Sequence, residues 1–302
     1  MEINMFDILV TILVILIIIL LWIAIYDTHR FIVVNHSFSD SRIKKSCRAV
    51  VIADLHNKCY GKNNELLLKA IHDNKPDFVL ICGDIPTAKP NKSLNTAISL
   101  VRELVKDYPV YYGNGNHEHR MKLYPETYQD MGEQYETALK QLGVHLLVNE
   151  KISLPQTGLC IYGSQIDKSY YKRFGISPME ENYLESILGK KEEDKYGILL
   201  AHNPDYFPQY ASWGADLVLS GHVHGGMVRI PFWGKGMVSP NIRLFPRYDG
   251  GCYQKDKSTM LVSRGLGMHT IPIRIFNPGE LLVIDLLPQN AKEVFLENLK
   301  DS

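Results

Sequence analysis

Residues 217–226 read LVLSGHVHGG, and this stretch decides the fold. A short apolar run, 217–219, ends in two histidines, His222 and His224, that stand two residues apart between glycines. Two histidines in this setting are hard to explain as packing, whereas the imidazole ring is a common ligand of metal ions. The stretch therefore predicts a buried strand that ends in metal ligands.

The same arrangement recurs at four earlier points, where a short apolar run ends in residues able to bind metal. The runs 49–53, 78–82, 110–112 and 198–201 lead into Asp54-Leu55-His56, Gly83-Asp84, Gly113-Asn114-Gly115-Asn116-His117-Glu118 and His202-Asn203-Pro204. In open α/β sheets the carboxyl ends of strands converge on one crevice, so residues far apart in sequence meet there. Gly83, Gly115 and Gly221 each precede a candidate ligand, and we expect unusual φ and close backbone approach at these turns.

The chemistry of this set indicates a centre with two metal ions. It offers two carboxylates, one amide oxygen and four imidazoles, from Asp54, His56, Asp84, Asn116, His202, His222 and His224. Such ligands suit Mn, Fe, Zn, Co or Mg. Seven are too many for one catalytic ion that keeps an open position, but they serve two ions that share a carboxylate. The five cysteines are odd in number and form no CxxC pair, which argues against a disulfide framework and a Cys-rich zinc site.

The remaining pattern predicts an α/β fold. Further strands are expected at 144–148 and 159–162, and helices at 65–72, 94–106 and 126–141. Ser177 and Pro178 predict the N-cap and first turn of a helix over 179–188. After residue 221 the helical signal fades, and short strands with Gly and Pro turns continue to residue 287. Strands that alternate with helices are typical of an α/β core.

The N-terminal segment predicts one transmembrane helix. Between residues 8 and 25 only Thr11 is polar, so the run is long enough to cross the ~30 Å hydrocarbon layer. Trp22 and Tyr26 at its end suit the headgroup region. A secretory signal peptide is the alternative, but it requires a basic start, and this start carries Glu2 and Asp7.

Charge and composition then suggest how the chain is divided and oriented. We expect an anchor at 1–27, a tether or first edge strand at 28–47, a catalytic domain at 48–290 and a tail at 291–302. Five cations follow the span and none precedes it, which favours a cytoplasmic catalytic domain over an extracellular one. Lys+Arg and Asp+Glu both total 33, so no overall positive field would attract nucleic acid, and none is expected as a partner.

Taken in order, these motifs resemble those of the calcineurin-like metallophosphoesterases over roughly residues 48–287. The resemblance implies a two-sheet sandwich flanked by helices (αββα) and hydrolysis of phosphoester or phosphoanhydride bonds by a metal-bridging hydroxide. It implies one metal on Asp54, His56 and His224, a second on Asn116, His202 and His222, and Asp84 as the bridge. His117 looks like the family's catalytic histidine, which protonates the leaving oxygen or stabilises charge on the phosphoryl group.

Motifs of the second half look like a small bacterial, membrane-associated branch of this family. They are residues 221–226, 229–231 (RIP), 263–267 (SRGLG) and 272–274 (PIR). That branch includes phosphodiesterases and, in some members, hydrolases of UDP-2,3-diacylglucosamine. The expected substrate is therefore a lipid-linked phosphodiester or pyrophosphate, with Phe232 and Trp233 as a candidate lipid-contacting lip and core packing or a turn as the alternative.

One departure from the family pattern concerns the catalytic histidine. Many relatives place a second Asp three residues after the bridging Asp, where it orients the histidine, but this chain has Thr87. A hydroxyl stabilises an imidazolium less than a carboxylate does. This departure favours one alternative, a membrane-tethered scaffold with weak activity. A nuclease on the same site is the second alternative.

Overall fold

The apolar runs of the sequence form the central strands of two mixed β-sheets. The computed structural model describes residues 4–172, 175–239, 242–268 and 273–289. The tail expected at 291–302 lies outside the described residues, as does Pro272 of the PIR motif.

The described elements alternate between strands and helices through most of the chain. The strands are β1 (Phe31–Asp40), β2 (Cys47–Ile52), β3 (Phe78–Cys82), β4 (Val110–Gly113), β5 (His145–Leu147), β6 (Glu150–Leu154), β7 (Leu159–Ser164), β8 (Tyr196–Ala201), β9 (Leu217–Ser220), β10 (Gly251–Lys255), β11 (Ser258–Val262) and β12 (Gly279–Pro288). The α-helices are α1 (Met5–His29), α2 (Glu65–Asp73), α3 (Asn95–Leu104), α4 (Asn116–Leu123), α5 (Pro125–Tyr128), α6 (Met131–Gln141), α7 (Tyr183–Leu188) and α8 (Phe207–Trp213).

Strand order explains why the candidate ligands meet. The first sheet runs β1-β12-β2-β3-β4-β5, and the second runs β10-β11-β9-β8-β7-β6. Strands β2 to β5 are mutually parallel, and so are β7, β8 and β9. The carboxyl ends of β2, β3 and β4 therefore lie along one edge of the first sheet, and those of β8 and β9 along one edge of the second.

Packing divides the molecule into four layers. One apolar core lies between the sheets, where Val51 and Leu80 pack in the same cluster as Ile198 and Leu217. A second core joins the other face of the first sheet to α2, α3 and α6, and a third joins the second sheet to α7 and α8. Both faces of each sheet are thus covered, as the continuous apolar strands require. The predicted two-sheet sandwich flanked by helices is confirmed.

Several helices differ from expectation. The predicted helix 126–141 is divided into α5 and α6, because Gln129 adopts a left-handed φ of 54° between them. The helix expected at 179–188 begins only at Tyr183, and the Ser177 hydroxyl donates to the Ser169 carbonyl instead of capping it. Helix α4 was not anticipated, since its sequence NHEHRMKL has no apolar period. The short helix α8 was not anticipated either.

The N-terminal helix joins the sandwich directly. Helix α1 is long and apolar enough to cross a membrane. A signal sequence near the N-terminus would meet the same two criteria. Only Arg30 separates α1 from β1, and β1 pairs in parallel with β12. Within the segment 28–47, expected as a tether or a first edge strand, residues 31–40 form β1 at the edge of the first sheet.

Candidate metal centre

Two aspartates leave the strand ends in strained backbone conformations. Asp54 follows β2 and Asp84 follows β3, both are buried, and their φ angles are 52° and 56°. Gly83 has a φ of 82°, and a Cβ there would lie 2.3 Å from the Gly115 nitrogen. The turn after β3 thus presses against the loop after β4, and only glycine fits at this contact.

The first group of candidate ligands consists of Asp54, His56 and His224, whose ligand atoms lie within 4.8 Å of one another. The two Nε2 atoms of His56 and His224 are 3.2 Å apart, and Asp54 Oδ1 is 3.4 Å from His224 Nε2. Asp54 Oδ2 accepts a hydrogen bond from the His222 backbone N–H. Asp54 Oδ1 is buried and accepts none from the described part of the chain, so a cation would satisfy it.

The second group consists of Asp84, His202 and His222, again with ligand atoms within 4.8 Å. His202 donates from Nδ1 to the Cys82 carbonyl, which leaves its Nε2 facing Asp84 Oδ2 at 3.1 Å. The same Asp84 oxygen is 3.8 Å from His56 Nε2. Asp84 also forms a third group with His56 and His117, again with ligand atoms within 4.8 Å, so it links the first two groups, where a shared carboxylate would have to be.

Asn116 supplies the amide oxygen of the expected set. It is the first residue of α4, and its neighbour His117 donates from its backbone N–H to Asp84 Oδ1 at 2.8 Å. The Asn116 Oδ1 atom is buried and accepts no hydrogen bond from any residue in the described ranges. Like Asp54 Oδ1, this oxygen fits a cation.

The electrostatics of the centre favour positive charge. Burial by itself would raise the pKa of Asp84, but His202, His117 and His56 together hold that pKa well below its usual range. Burial would likewise lower the pKa of His202, yet the charges of Asp84 and Asp54 raise it to about 10. Two carboxylates thus attract a proton here. Their oxygens and the surrounding imidazoles form a donor set that fits divalent cations.

The backbone of Ala88 orients the ring of His117, whereas in many relatives an Asp at the position of Thr87 does so. The His117 Nδ1 accepts a hydrogen bond of 2.8 Å from the backbone N–H of Ala88, one residue beyond Thr87. An accepting Nδ1 carries no proton, so the neutral ring has its proton on Nε2. That Nε2 lies 3.9 Å from Asp84 Oδ2, inside the centre. The backbone therefore sets the ring orientation that a carboxylate would otherwise provide.

Glu118 has a structural role that the sequence analysis missed. Its buried carboxylate accepts hydrogen bonds from the backbone N–H groups of Asp84, Ile85 and Gly115 and from the Tyr112 hydroxyl. Burial, followed by repulsion from Asp84, raises the pKa of Glu118 to about 7. The sequence did carry a signal, since Glu118 stands three residues after the residue that caps α4, as in a capping box.

We expect Glu118→Gln to destabilise the fold without removing a ligand. Each oxygen of Glu118 accepts from a backbone N–H, so either orientation of the amide turns its NH₂ toward such a donor. One unsatisfied buried donor costs about 1–3 kcal/mol of the free energy of unfolding, which urea denaturation would measure. The control is Glu136→Gln, which breaks surface ion pairs with Lys122 and Lys140 and should cost at most ~1 kcal/mol. Equal effects of the two changes would contradict this role.

Two further residues beside the centre carry no signal in the sequence. Asn277 donates from Nδ2 to the His224 carbonyl at 2.8 Å and from its backbone N–H to Asp27 Oδ2 at 3.0 Å. It therefore connects a candidate ligand to the end of α1. The ring of Tyr171 packs edge-on against His222, with 5.2 Å between the centroids.

Comparison with known proteins gives a consistent result. The family described as calcineurin-like phosphoesterase matches residues 47–226. An uncharacterized metallophosphoesterase of Helicobacter pylori (strain ATCC 700392 / 26695) is 28% identical over 254 residues, which are 82% of this chain and 62% of that protein. The Bacillus subtilis (strain 168) protein YkuE, also an uncharacterized metallophosphoesterase, is 26% identical over 275 residues, 87% of this chain and 88% of its own length.

The matches differ in how much of each relative they cover. For the Helicobacter protein and for a Campylobacter jejuni relative at 29% identity, the chain spans 62% and 60% of the relative's length. Among solved structures, the sulfate thiohydrolase SoxB of Termus thermophilus in complex with glycerol aligns with 83% of this chain and 59% of its own chain. That alignment has 15% identity and a TM-score of 0.41.

Proposed function

Because the chain belongs to the calcineurin-like phosphoesterase family, we propose that it is a metal-dependent phosphoesterase that works with two divalent cations from a membrane anchor. The observation that carries the two-ion proposal is the position of Asp84 between two groups of ligands. The buried Oδ1 atoms of Asp54 and Asn116 accept no hydrogen bond from the described residues, and a cation would satisfy both. We assign one ion to the group around Asp54 and the other to the group around His202.

The residues of each group have defined tasks in this proposal. Asp54, His56 and His224 would hold one cation, and Asn116, His202 and His222 the other, with Asp84 shared between them. Bound divalent cations would lower the pKa of water and offset charge on phosphoryl oxygens. We infer that His117 places its Nε2 proton at the leaving oxygen of the substrate, while the Ala88 amide fixes the ring.

A screen of activity against metal content tests this function. The full chain in detergent would be assayed with Mn and Zn varied, on diesters, monoesters and nucleotide-sugar lipids. Hydrolysis of bis(p-nitrophenyl) phosphate that depends on added cation supports the proposal. Full metal occupancy with no hydrolysis of any of these esters would favour the scaffold alternative.

The proposal of a membrane anchor rests on α1. This helix of 25 residues is roughly 37 Å long at ~1.5 Å per residue, which exceeds the ~30 Å hydrocarbon layer. Its apolar side chains from Met5 to Leu21 are exposed in the structure, where lipid would cover them. The cations that follow, from Arg30 to Arg48, favour a cytoplasmic catalytic domain.

We expect protease added to intact cells to leave the catalytic domain whole, and protease added to opened vesicles to degrade it. The anchor should also keep the chain in the membrane fraction after an alkaline wash. Cleavage in intact cells would show that the catalytic domain is outside the cell. A mature N-terminus near residue 28 would show that the segment is a cleaved signal peptide and not an anchor.

We further propose that the substrate lies at the membrane surface, as a phosphodiester or pyrophosphate with a lipid part. Asn277 supports this, because one residue separates the candidate ligand His224 from Asp27 at the end of α1. No flexible segment intervenes, since β1 starts directly after Arg30. Substrates confined to the same surface gain effective concentration over freely diffusing ones.

Comparing two substrates tests the lipid part of this proposal. A lipid-linked diphosphate should be hydrolysed with a higher kcat/KM than its water-soluble head group when both are assayed with the chain in vesicles. The ratio should fall toward one in detergent, where confinement to a shared surface is lost. Equal kcat/KM in vesicles would show that the substrate is soluble and that the anchor only sets location.

A further inference from the structure

Eight large apolar side chains, which include Met237 and Ile273, are exposed in the described segments that follow the His222–His224 loop. Phe232 is fully exposed and Trp233 is 67% exposed, and the remaining four are Ile242, Leu244, Phe245 and Phe276. We call these eight residues the apolar patch. Isolated apolar residues on a surface are ordinary, but a group of this size on connected segments marks an interaction site.

Hydrogen bonds connect the patch to the end of α1 in two steps. The Arg274 and Asn277 backbone N–H groups donate to Thr28 Oγ1 and Asp27 Oδ2. Ile275 then pairs with Val228 through two backbone hydrogen bonds, Arg229 N–H to the Ile275 carbonyl and Ile275 N–H to the Met227 carbonyl. The patch is therefore continuous with the point where α1 leaves the proposed membrane.

The pairing also places the aromatic residues at a turn. Arg229 pairs with Gly236, and the Ile230 N–H bonds to the Lys235 carbonyl, so Phe232 and Trp233 form the tip of a hairpin. A second antiparallel bridge, Val238 with Leu244, carries Leu244 and the adjoining Phe245 beside this hairpin. A hairpin tip extends from the body of a domain, so its side chains can insert into a lipid layer.

The conformation of the patch adds an independent observation. Phe232, Ile242, Phe245 and Phe276 all have left-handed φ angles, of 67°, 59°, 47° and 53°. Glycine or asparagine usually occupies such positions, because a bulky side chain costs ~1–2 kcal/mol there. These four residues are unfavourable in water because their backbone is strained and because their apolar side chains are exposed. Such strain is typical of functional segments.

Charge favours an anionic lipid surface as the partner. Between residues 217 and 249 the sequence has four cations, Arg229, Lys235, Arg243 and Arg247, and one carboxylate, Asp249. Arg229 and Lys235 both pair with Asp249, and Arg243 pairs with Asp205, while the Lys235 side chain remains 47% exposed at the hairpin. Aromatic and aliphatic tips with basic residues behind them are typical of interfacial membrane contacts.

We propose that the apolar patch inserts into the lipid leaflet beside α1, so that the catalytic domain docks on the bilayer at a second point. This rests on the proposed membrane anchor. Docking would fix the loop of His222 and His224 close to the headgroups, because Gly226 packs on Gly236 of the hairpin. Insertion of the patch would thus bring the candidate metal centre close to the phosphate groups of lipids.

The three tryptophans of the chain provide the test. Full-length variants that keep one tryptophan each are reconstituted in nanodiscs of phosphatidylcholine and phosphatidylglycerol with brominated acyl chains. Trp22, in α1, is the positive control. Trp213, at the end of α8 with its indole bonded to the Gly189 carbonyl, is the negative control. The remaining variant, W22F/W213F, reports on Trp233.

We expect Trp233 to lose about half of its emission, with quenchers near the headgroup most effective, because interfacial side chains reach ~5–10 Å into the boundary. Quenching no greater than that of Trp213 would overturn the docking, whether Trp233 is open to iodide or is shielded from it by a second copy of the chain. An unquenched Trp22 would overturn the anchor and the docking together. Phosphodiester hydrolysis by the same nanodiscs reports separately on the proposed catalytic function.

Discussion

Asp84→Asn is expected to abolish most hydrolysis and to lower the metal content of the protein. Asn can keep the acceptor that Asp84 Oδ1 offers to the His117 backbone N–H, so the loop geometry is retained. The neutral amide, however, removes the negative charge that lies between the two ligand groups. Losing this charge should reduce kcat/KM by ~10³-fold or more, since metal stabilisation of the transition state is worth several kcal/mol.

A matched carboxylate provides the control for this prediction. Asp285 lies on β12 and pairs with Arg48, with about a third of its side chain exposed, and Asp285→Asn should leave both activity and metal content unchanged. Metal analysis and kinetics on the two variants separate the outcomes. Wild-type turnover in Asp84→Asn with full metal occupancy would contradict the shared carboxylate.

His117→Ala is expected to slow hydrolysis ~10²–10⁴-fold while metal content and fold are kept, which is the usual range for losing an acid–base group. The reason is that the ring holds its Nε2 proton inside the centre but is positioned by the Ala88 amide. The loss should shrink for a nitrophenyl ester, because that leaving group needs little protonation. Steady-state kinetics on an alkyl and a nitrophenyl ester measure the difference.

The neighbouring histidine serves as the control. His119 lies on the same helix, and burial lowers its pKa, but it is outside the three groups of ligand atoms. His119→Ala should therefore change the rate on both esters by less than about threefold, which corresponds to ~0.7 kcal/mol in the activation barrier. An equal loss on the two esters in His117→Ala would instead indicate that His117 positions the substrate or a metal ion.

Much of the architecture could be predicted because the strands are continuous apolar runs. The bounds of β3 were predicted without error, and those of β8 and β9 nearly so, since both faces of these strands are buried. Helix α4 was not predicted, because its residues serve the loop and the centre instead of an apolar stripe. The division between α5 and α6 was missed because a single left-handed residue, Gln129, ends a helical pattern that otherwise continues.

The candidate site was predictable to the extent that its residues follow strand ends. Sequence order indicated which side chains meet, because parallel strands bring their carboxyl ends together. It did not indicate contacts made by the backbone, such as the Ala88 amide on His117. Nor did it reveal Asn277, whose two hydrogen bonds depend on β12 returning beside β2 from the far end of the chain.

A metal titration followed by activity tests the central claim most directly. The full-length chain, stripped of metal in detergent, would receive Mn or Zn in measured equivalents while hydrolysis of bis(p-nitrophenyl) phosphate is recorded in the same sample. If Asp84 joins two ion sites, activity should rise until the second equivalent is bound and then level off. Activity that saturates at one equivalent, or that persists in the stripped chain, would contradict the two-ion account.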